Sequence, residues 1–438
     1  MRVPLLKIES SPTLPESADA VVIGAGIVGV FTAYYLARRG LKVALVEKGL
    51  VGAEQSSRNW GWCRQQNRDA RELPISTKSL ELWERFQAES GESVGFSRCG
   101  LLYLSNDEAE LAGWAKWCDF AKTVNVTSHV LTSEQANERG RATGRHWKGG
   151  IFSPTDGIAD PSRAAPAVAR ALMALDGTVH QSCAARGLET SGGRVSGVVT
   201  EKGTIRTPVA ILSGGAWASS FCRQLGVVFP QASVRSSIVA LAPGAQGIPD
   251  ALHTKDVSVT RRGDGGYTLA ISGYGRLDMT LQGLRFGREF MPMFMKRWRS
   301  LRPGGLEGLR SGHETLSRWS LDKPTPMEKM RILDPSVDEG TAAEIHRRAV
   351  ALMPELGKVD ISAKWAGYID STPAMGEVHN VPGFILAAGF SGHGFGIGPG
   401  AGHLLADIVT GAAEPIVDPR PYSPERFRSS VWGKVAEF

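Results

Sequence analysis

The sequence predicts a mixed α/β (α+β) fold in which a parallel-sheet domain is interleaved with an antiparallel-sheet domain. Three observations predict it. Between Ala20 and Glu47 a β-rich run, a glycine turn, a helical run and a second β-rich run follow one another. Near residue 400 a buried strand enters a glycine-dense loop and then a helix. Between these two places lie short alternating strand patterns and helical patterns, as an antiparallel sheet with covering helices requires.

Bulk properties set the frame. A chain of 438 residues suggests two to three structural units. With 42% hydrophobic and 21% charged residues, a disordered or collagen-like protein is excluded. The formal net charge of +6 is a weak excess for this length. Glycine is the outlier: 52 residues, about 12% of the chain against ~7% in average usage. The cysteines (Cys63, Cys99, Cys118, Cys183, Cys222) are odd in number, far apart and without a C-x-x-C pair, so neither a metal site nor a disulfide framework is expected and a cytoplasmic setting fits.

Taken in chain order, residues 1–17 form a Pro/Ser-bearing extension. The run Ala20–Ala37 carries no charge, which reaches the length of a membrane helix. It divides, however, into a β-branched half (Val21, Val22, Ile23) and a helix-like half (Phe31 to Ala37) separated by three glycines, and no basic n-region with a cleavage site precedes it. Strand, turn and helix is the better reading. Gly24, Gly26 and Gly29 then form G-x-G-x-x-G in the strand-to-helix context that gives the motif meaning, with Ile27 and Val28 between them. Gly24 permits the tight turn, Gly26 lets backbone approach a pyrophosphate, and Gly29 lets helix and strand pack. The helix N-terminus adds free N–H groups and a positive dipole end. Glu47, followed by Lys48, ends the next strand 18 residues past Gly29, where a carboxylate can bind ribose hydroxyls. This is a Rossmann-like dinucleotide unit, and by itself it does not separate NAD from FAD.

Further along, Ser56 to Arg64 is a polar run holding Trp60 and Trp62 beside Gly61, two large rings better suited to a cavity wall than to water. Residues 194–212 alternate as two strands around Lys202-Gly203 and lead into SGGAWA. Phe384 to Ala388 runs into a loop in which Gly389, Gly392, Gly394, Gly396, Gly398, Gly400 and Gly402 fall within fourteen residues, and Pro399 starts a helix.

The pieces VVIGAGIVG…VEKG, SSRNWGWCR, ILSGGAWAS, WAGYIDSTP and PGFILAAGFSGHGFGIGPGAG together resemble the D-amino-acid oxidase and sarcosine oxidase family of FAD-dependent amine oxidoreductases (the glycine/D-amino-acid oxidase, DAO, family), from about Ala18 to Thr410. The resemblance implies a glutathione-reductase-type FAD domain, discontinuous over 18–90, 155–230 and 365–425, with a substrate domain from 91–154 and 231–364 and a tail at 426–438. It implies that Ser56, Ser57, Arg58, Asn59, Gly61 and Trp62 wrap the FAD, that Ala185 presents backbone to the adenine, and that Gly214, Gly215 and Trp217 lie close to the cofactor. It places Gly392, His393, Gly394, Phe395, Gly396 and Ile397 at the flavin, with His393 read as a packing and hydrogen-bonding residue of the loop rather than a base. It also implies hydride transfer from the carbon beside nitrogen to the flavin, giving an imine. The cofactor carries that chemistry and the protein supplies position. Arg64 is the expected anchor of the substrate carboxylate, with Tyr368, Trp365 and Tyr274 as pocket walls.

Three positions depart from the sarcosine oxidase branch. Gly396 stands where a second, clamping Lys is expected, leaving Arg261 and Arg262 as replacements. Gly367 stands at the position of the flavin-linking Cys, so non-covalent FAD is expected. Thr268 stands where a Lys speeds reaction with oxygen, so reoxidation by O2 competes with transfer to a quinone at a membrane surface. For the second acceptor the relevant segment is 285–310, with seven basic and two acidic residues and Phe286, Phe290, Phe294 and Trp298 repeating every four. Because Pro292 interrupts that stripe, the preferred reading is a helix with its aromatic face on the sheet and its charges in water. Nucleic-acid binding is not expected, since no recognition motif accompanies the patch.

Overall fold

The computed structural model describes residues 3–299, 301–310, 314 and 318–428. The expected C-terminal tail therefore lies outside the described residues from 429 onward.

Ala20–Ile23 and Val43–Val46 form as fully buried strands, with the helix Ile27–Arg38 between them. Near-continuous apolar runs of this kind are what a sheet covered on both faces demands. Five parallel strands line up in the order Phe384–Phe390, Ala210–Leu212, Ala20–Ile23, Val43–Val46, Thr178–His180. Within the extension, Ser11 and Val179 of the outer strand exchange hydrogen bonds, Ser11 N–H to Val179 O and Val179 N–H to Ser11 Oγ, which shields an open sheet edge.

The substrate side is not a separate layer. The 17-residue strand Ile361–Glu377 pairs antiparallel both with Phe384–Phe390 and with Ala232–Leu241. Beyond it come Tyr267–Ala270, Ser258–Arg261 and Ala251–His253, then Leu101–Ser105, Gly149–Ser153 and His129–Leu131. One continuous sheet of fifteen strands among the described residues thus carries both halves. The hairpin expected around Lys202-Gly203 forms from Arg194–Thr200 and Gly203–Arg206 and gains a third strand, Ala185–Ser191.

The basic aromatic segment differs from its expectation. It folds as Leu281–Arg285 and Gly287–Arg297, with Pro292 inside the second helix. Only Phe286 of the stripe is buried; Phe294 and Trp298 face solvent, together with Leu284 (65% exposed) and Met295 (61%). The stripe does not reach the sheet because both ends of the segment are held at one buried point. Asp278 pairs bidentately with Arg235 at 2.7 and 3.0 Å, accepts the Gly305 N–H, and accepts the Tyr368 hydroxyl at 3.0 Å, while Arg235 also meets Glu307. Residues 279–304 leave and return through this neck.

Removing one partner of a buried ion pair leaves an uncompensated charge. Asp278→Ala is therefore expected to lower unfolding free energy by about 3–5 kcal/mol, read from urea denaturation; a loss below about 1 kcal/mol, the value of a surface pair, would show that the neck is not buried in solution.

Candidate active site

At the first loop Gly24 has φ +100°, and a Cβ there would sit 2.5 Å from Ser213 O. A Cβ at Gly29 would sit 2.0 Å from Gly24 O, so only glycine lets the helix start against the turn. The helix has no side-chain cap at Gly26; Ser56 Oγ instead accepts the Ile27 N–H at 2.8 Å. Glu47 accepts the Ala25 N–H at 2.8 Å and the Gly49 N–H at 2.7 Å, and burial raises its pKa.

The second loop meets the first. A Cβ at Gly398 would come within 2.9 Å of the Ile27 side chain, and one at Gly402 within 2.6 Å of Phe31 backbone. Gly396 lies on the Trp62–Cys63 strand, where a Cβ would be 2.8 Å from Trp62 O, and the Trp83 indole N–H donates to Gly396 O at 2.9 Å. The helix Gly398–Thr410 also starts without a side-chain cap. Gly24, Gly26, Gly29, Glu47 and the backbone of 391–398 thus form one cradle with two helix N-termini in it, and Ser213 Oγ beside Gly29 is buried without a partner. These residues fit a dinucleotide flavin: the first helix N-terminus would suit its phosphates and the second would suit the charge of the reduced ring.

Several expected contacts are engaged elsewhere. Lys48 Nζ donates to Glu54 at 2.5 Å and to the carbonyls of Met330 and Arg331, and it stacks 4.4 Å from the Trp217 ring, whose N–H also reaches Glu54. Arg58 is bonded to Asp334 and Ala366 O, both at 2.7 Å. Asn59 donates to Ser56 O and accepts from Gly61 N–H, closing its own turn, and Ser57 Oγ donates to Glu54 O. Gly214 and Gly215 begin the turn that leads to Trp217, and Ala185 opens its strand. Trp365 and Tyr368 occupy opposite faces of one strand. The Trp365 N–H donates to Arg58 O on the cradle side, whereas Tyr368 points to Asp278. Arg261 and Arg262 pair with Asp250 and Asp264, acids close by in sequence.

Arg64 is half-buried in an aromatic box. Its Nη1 donates to Tyr103 OH at 2.6 Å and Gln66 O at 2.8 Å, and its guanidinium lies 5.7 Å from the Trp62 ring. Trp60 packs edge-on against Trp62, and His253 stacks on Tyr103 at 4.4 Å. Burial, with help from Arg64, pushes His253 down to about 3, so it is neutral. The next residues are fixed from below: Asp156 accepts the N–H groups of Gln65 and Gln66. Its buried carboxyl is pushed up to about 6.

Sequence reading missed four members of this site: Arg68, Glu72, Tyr103 and His253. Arg68, 4% exposed, lies beside Glu72, and burial pushes its guanidinium down to about 10. Glu72 in turn meets His393 Nδ1 at 2.7 Å. The available signal was Arg64, Arg68 and Glu72 at every fourth position of one segment. Tyr103 and His253, brought in by distant strands, carried none.

The fold and the cradle define a flavin-binding oxidoreductase. The family described as FAD dependent oxidoreductase (DAO) matches residues 19–408, and the chain belongs to it. The L-amino acid deaminase from Proteus myxofaciens, solved in complex with anthranilate, superposes with a TM-score of 0.91 at 28% identity over 97% of this chain and 96% of that one. Glycine oxidase from Pseudomonas putida is 26% identical over 93% of this chain and 99% of its own length. Mitochondrial sarcosine dehydrogenase from Mus musculus is 26% identical over 96% of this chain, which spans only 42% of that relative.

Gly367 carries no thiol to hold flavin, and its Cα faces the Gln55 amide and Arg58, a Cβ there lying 2.3 Å from Gln55 Oε1 and 3.3 Å from Arg58 Cδ. Acid precipitation is expected to leave all flavin in the supernatant; a yellow pellet would mean a covalent link.

Proposed function

We propose that this chain is a cytoplasmic oxidase of a free or N-substituted amino acid, yielding an imine that water hydrolyses. Bound FAD supplies the two-electron acceptor. The single observation that carries the reading is Arg64: a half-buried guanidinium, tied by one nitrogen to Tyr103 and Gln66, beside the glycine loop. Its remaining N–H groups suit a carboxylate held in two-point fashion. Trp62, Tyr103 and neutral His253 exclude water around that pair, which strengthens it. Trp365, held through its N–H by Arg58, fixes the strand behind the cradle. The five free cysteines, four of them buried, support a reducing compartment.

A second reading, a membrane-surface dehydrogenase passing electrons to a quinone, is favoured by the exposed apolar face of 279–309. Leu284, Met291, Met295 and Trp298 stand in solvent among Arg285, Arg288, Lys296 and Arg299, the composition of an interfacial helix on anionic lipid. No helix among the described residues is long and apolar enough to cross a membrane.

Anaerobic titration with glycine, sarcosine and panels of D-, L- and N-alkyl amino acids is expected to bleach the flavin, with peroxide released on admitting air. Arg64→Ala should then raise KM and cost about 2–5 kcal/mol in kcat/KM; unchanged kinetics would remove Arg64 from the site. Flotation with anionic phospholipid vesicles separates the two readings: recovery with the vesicles at low salt and release at high salt is expected of the second, and a protein left at the bottom of the gradient ends it.

A further inference from the structure

His393 is placed for more than packing. Burial opposes ionisation of Glu72, but Arg68 and then His393 outweigh it and hold the carboxyl at about 2. At neutral pH Glu72 is therefore acceptor only, and the ring nitrogen 2.7 Å from it, Nδ1, must carry the proton. The lone pair then lies on Nε2. That atom has no partner among the described residues, and the side chain is 36% exposed although Glu72 beneath it is largely covered. The charged groups acting on the ring are Arg68, Glu72 and Arg64; burial, then the two arginines, push its pKa down against the pull of Glu72, so the ring is neutral.

An amino acid arrives at neutral pH as its ammonium form. With four bonds, that nitrogen has no electron pair to donate as the neighbouring carbon loses its hydrogen. We propose that His393 is the base that removes this proton, with Glu72 as its positioning residue; the inference rests on the amino-acid reading above. One substrate N–H bond breaks and its pair stays on nitrogen, while a new N–H bond forms at His393 Nε2. The imidazolium charge so created lies against the Glu72 carboxylate, the same partnership that supports a histidine base in hydrolases. A substrate carboxylate on Arg64 cancels part of the positive charge that holds the ring's pKa down. Binding thereby strengthens the base at the moment it is needed.

The test is anaerobic stopped-flow reduction of the FAD holoenzyme at saturating amino acid from pH 6 to 10, for wild type, His393→Asn and Glu72→Gln. His393→Asn is expected to be about 100-fold or more slower at pH 7. Its rate should climb about tenfold per pH unit toward wild type as the substrate's own amine loses its proton. Glu72→Gln should fall between the two with the same pH trend. Benzoate, a carboxylate with no ammonium, should bind both variants as it binds wild type, read from the flavin spectrum. A deficit equal at every pH, weakened benzoate binding, or an unchanged rate overturns the assignment. Should His393→Asn lose flavin, 15N shifts of the wild-type ring decide: an Nδ1–H tautomer is expected, and an Nε2–H tautomer or an imidazolium at pH 7 overturns it. If no amine reduces wild-type flavin, the functional reading falls; if amines reduce it and the pH trend is absent, only the base does.

Discussion

Two helices from opposite ends of the chain begin within van der Waals reach of each other, and the rest of the molecule depends on that approach. Gly398 faces Ile27 and Gly402 faces Phe31 at distances where a single methyl group would overlap backbone or side chain. Close-packed interiors do not absorb such an overlap without moving elements apart. The contact brings two helix N-termini into one cradle, each met by a serine hydroxyl from another segment, Ser56 at Ile27 N–H and Ser79 at Gly400 N–H. It also aligns Phe384–Phe390 and Ala20–Ile23 in one parallel sheet, with Ala210–Leu212 between them. The strand Ile361–Glu377, paired on its other edge to Ala232–Leu241, then carries that alignment into the substrate half. Cofactor cradle and substrate wall are rigid with respect to each other because they are neighbouring strands, not docked domains.

Next to the cradle the protein buries charge that is only partly compensated. Arg64, Arg68, Glu72 and His393 form a chain in which each group alters its neighbour: Arg68 keeps Glu72 ionised, and Glu72 fixes the His393 tautomer. Two guanidinium groups face the Glu72 carboxylate and, from below, the Asp156 carboxyl, where an anionic substrate is expected. Such an arrangement costs folding free energy, and sites that bind ions are where that cost is offset by function.

A different buried charge governs the surface. Asp278 gathers Arg235, Gly305 and Tyr368 at the neck of residues 279–304, which explains why the segment bears its apolar side chains outward. Gln282 and Phe286 are buried at the start of the segment, and past them the helix carrying Pro292 turns Phe294 and Met295 outward.

The first glycine motif, its strands, Glu47 and the second glycine loop were legible in the sequence, because each is a local demand: a backbone conformation or approach that only glycine meets, written into consecutive residues. Arg64 was legible as a charge beside two tryptophans. The engagement of Lys48 with Glu54 and Trp217, the opposite facing of Trp365 and Tyr368, and the exposure of Phe294 and Trp298 were not. Each depends on partners supplied by distant strands. By itself the sequence determined the two glycine-rich loops and the expectation of a dinucleotide cradle between them. Only the tertiary structure decided which side chains surround Arg64, since Tyr103, His253 and the Glu72–His393 pair come to it from separate segments, and electrostatic coupling depends on distance in space and on burial, neither of which is written in sequence order.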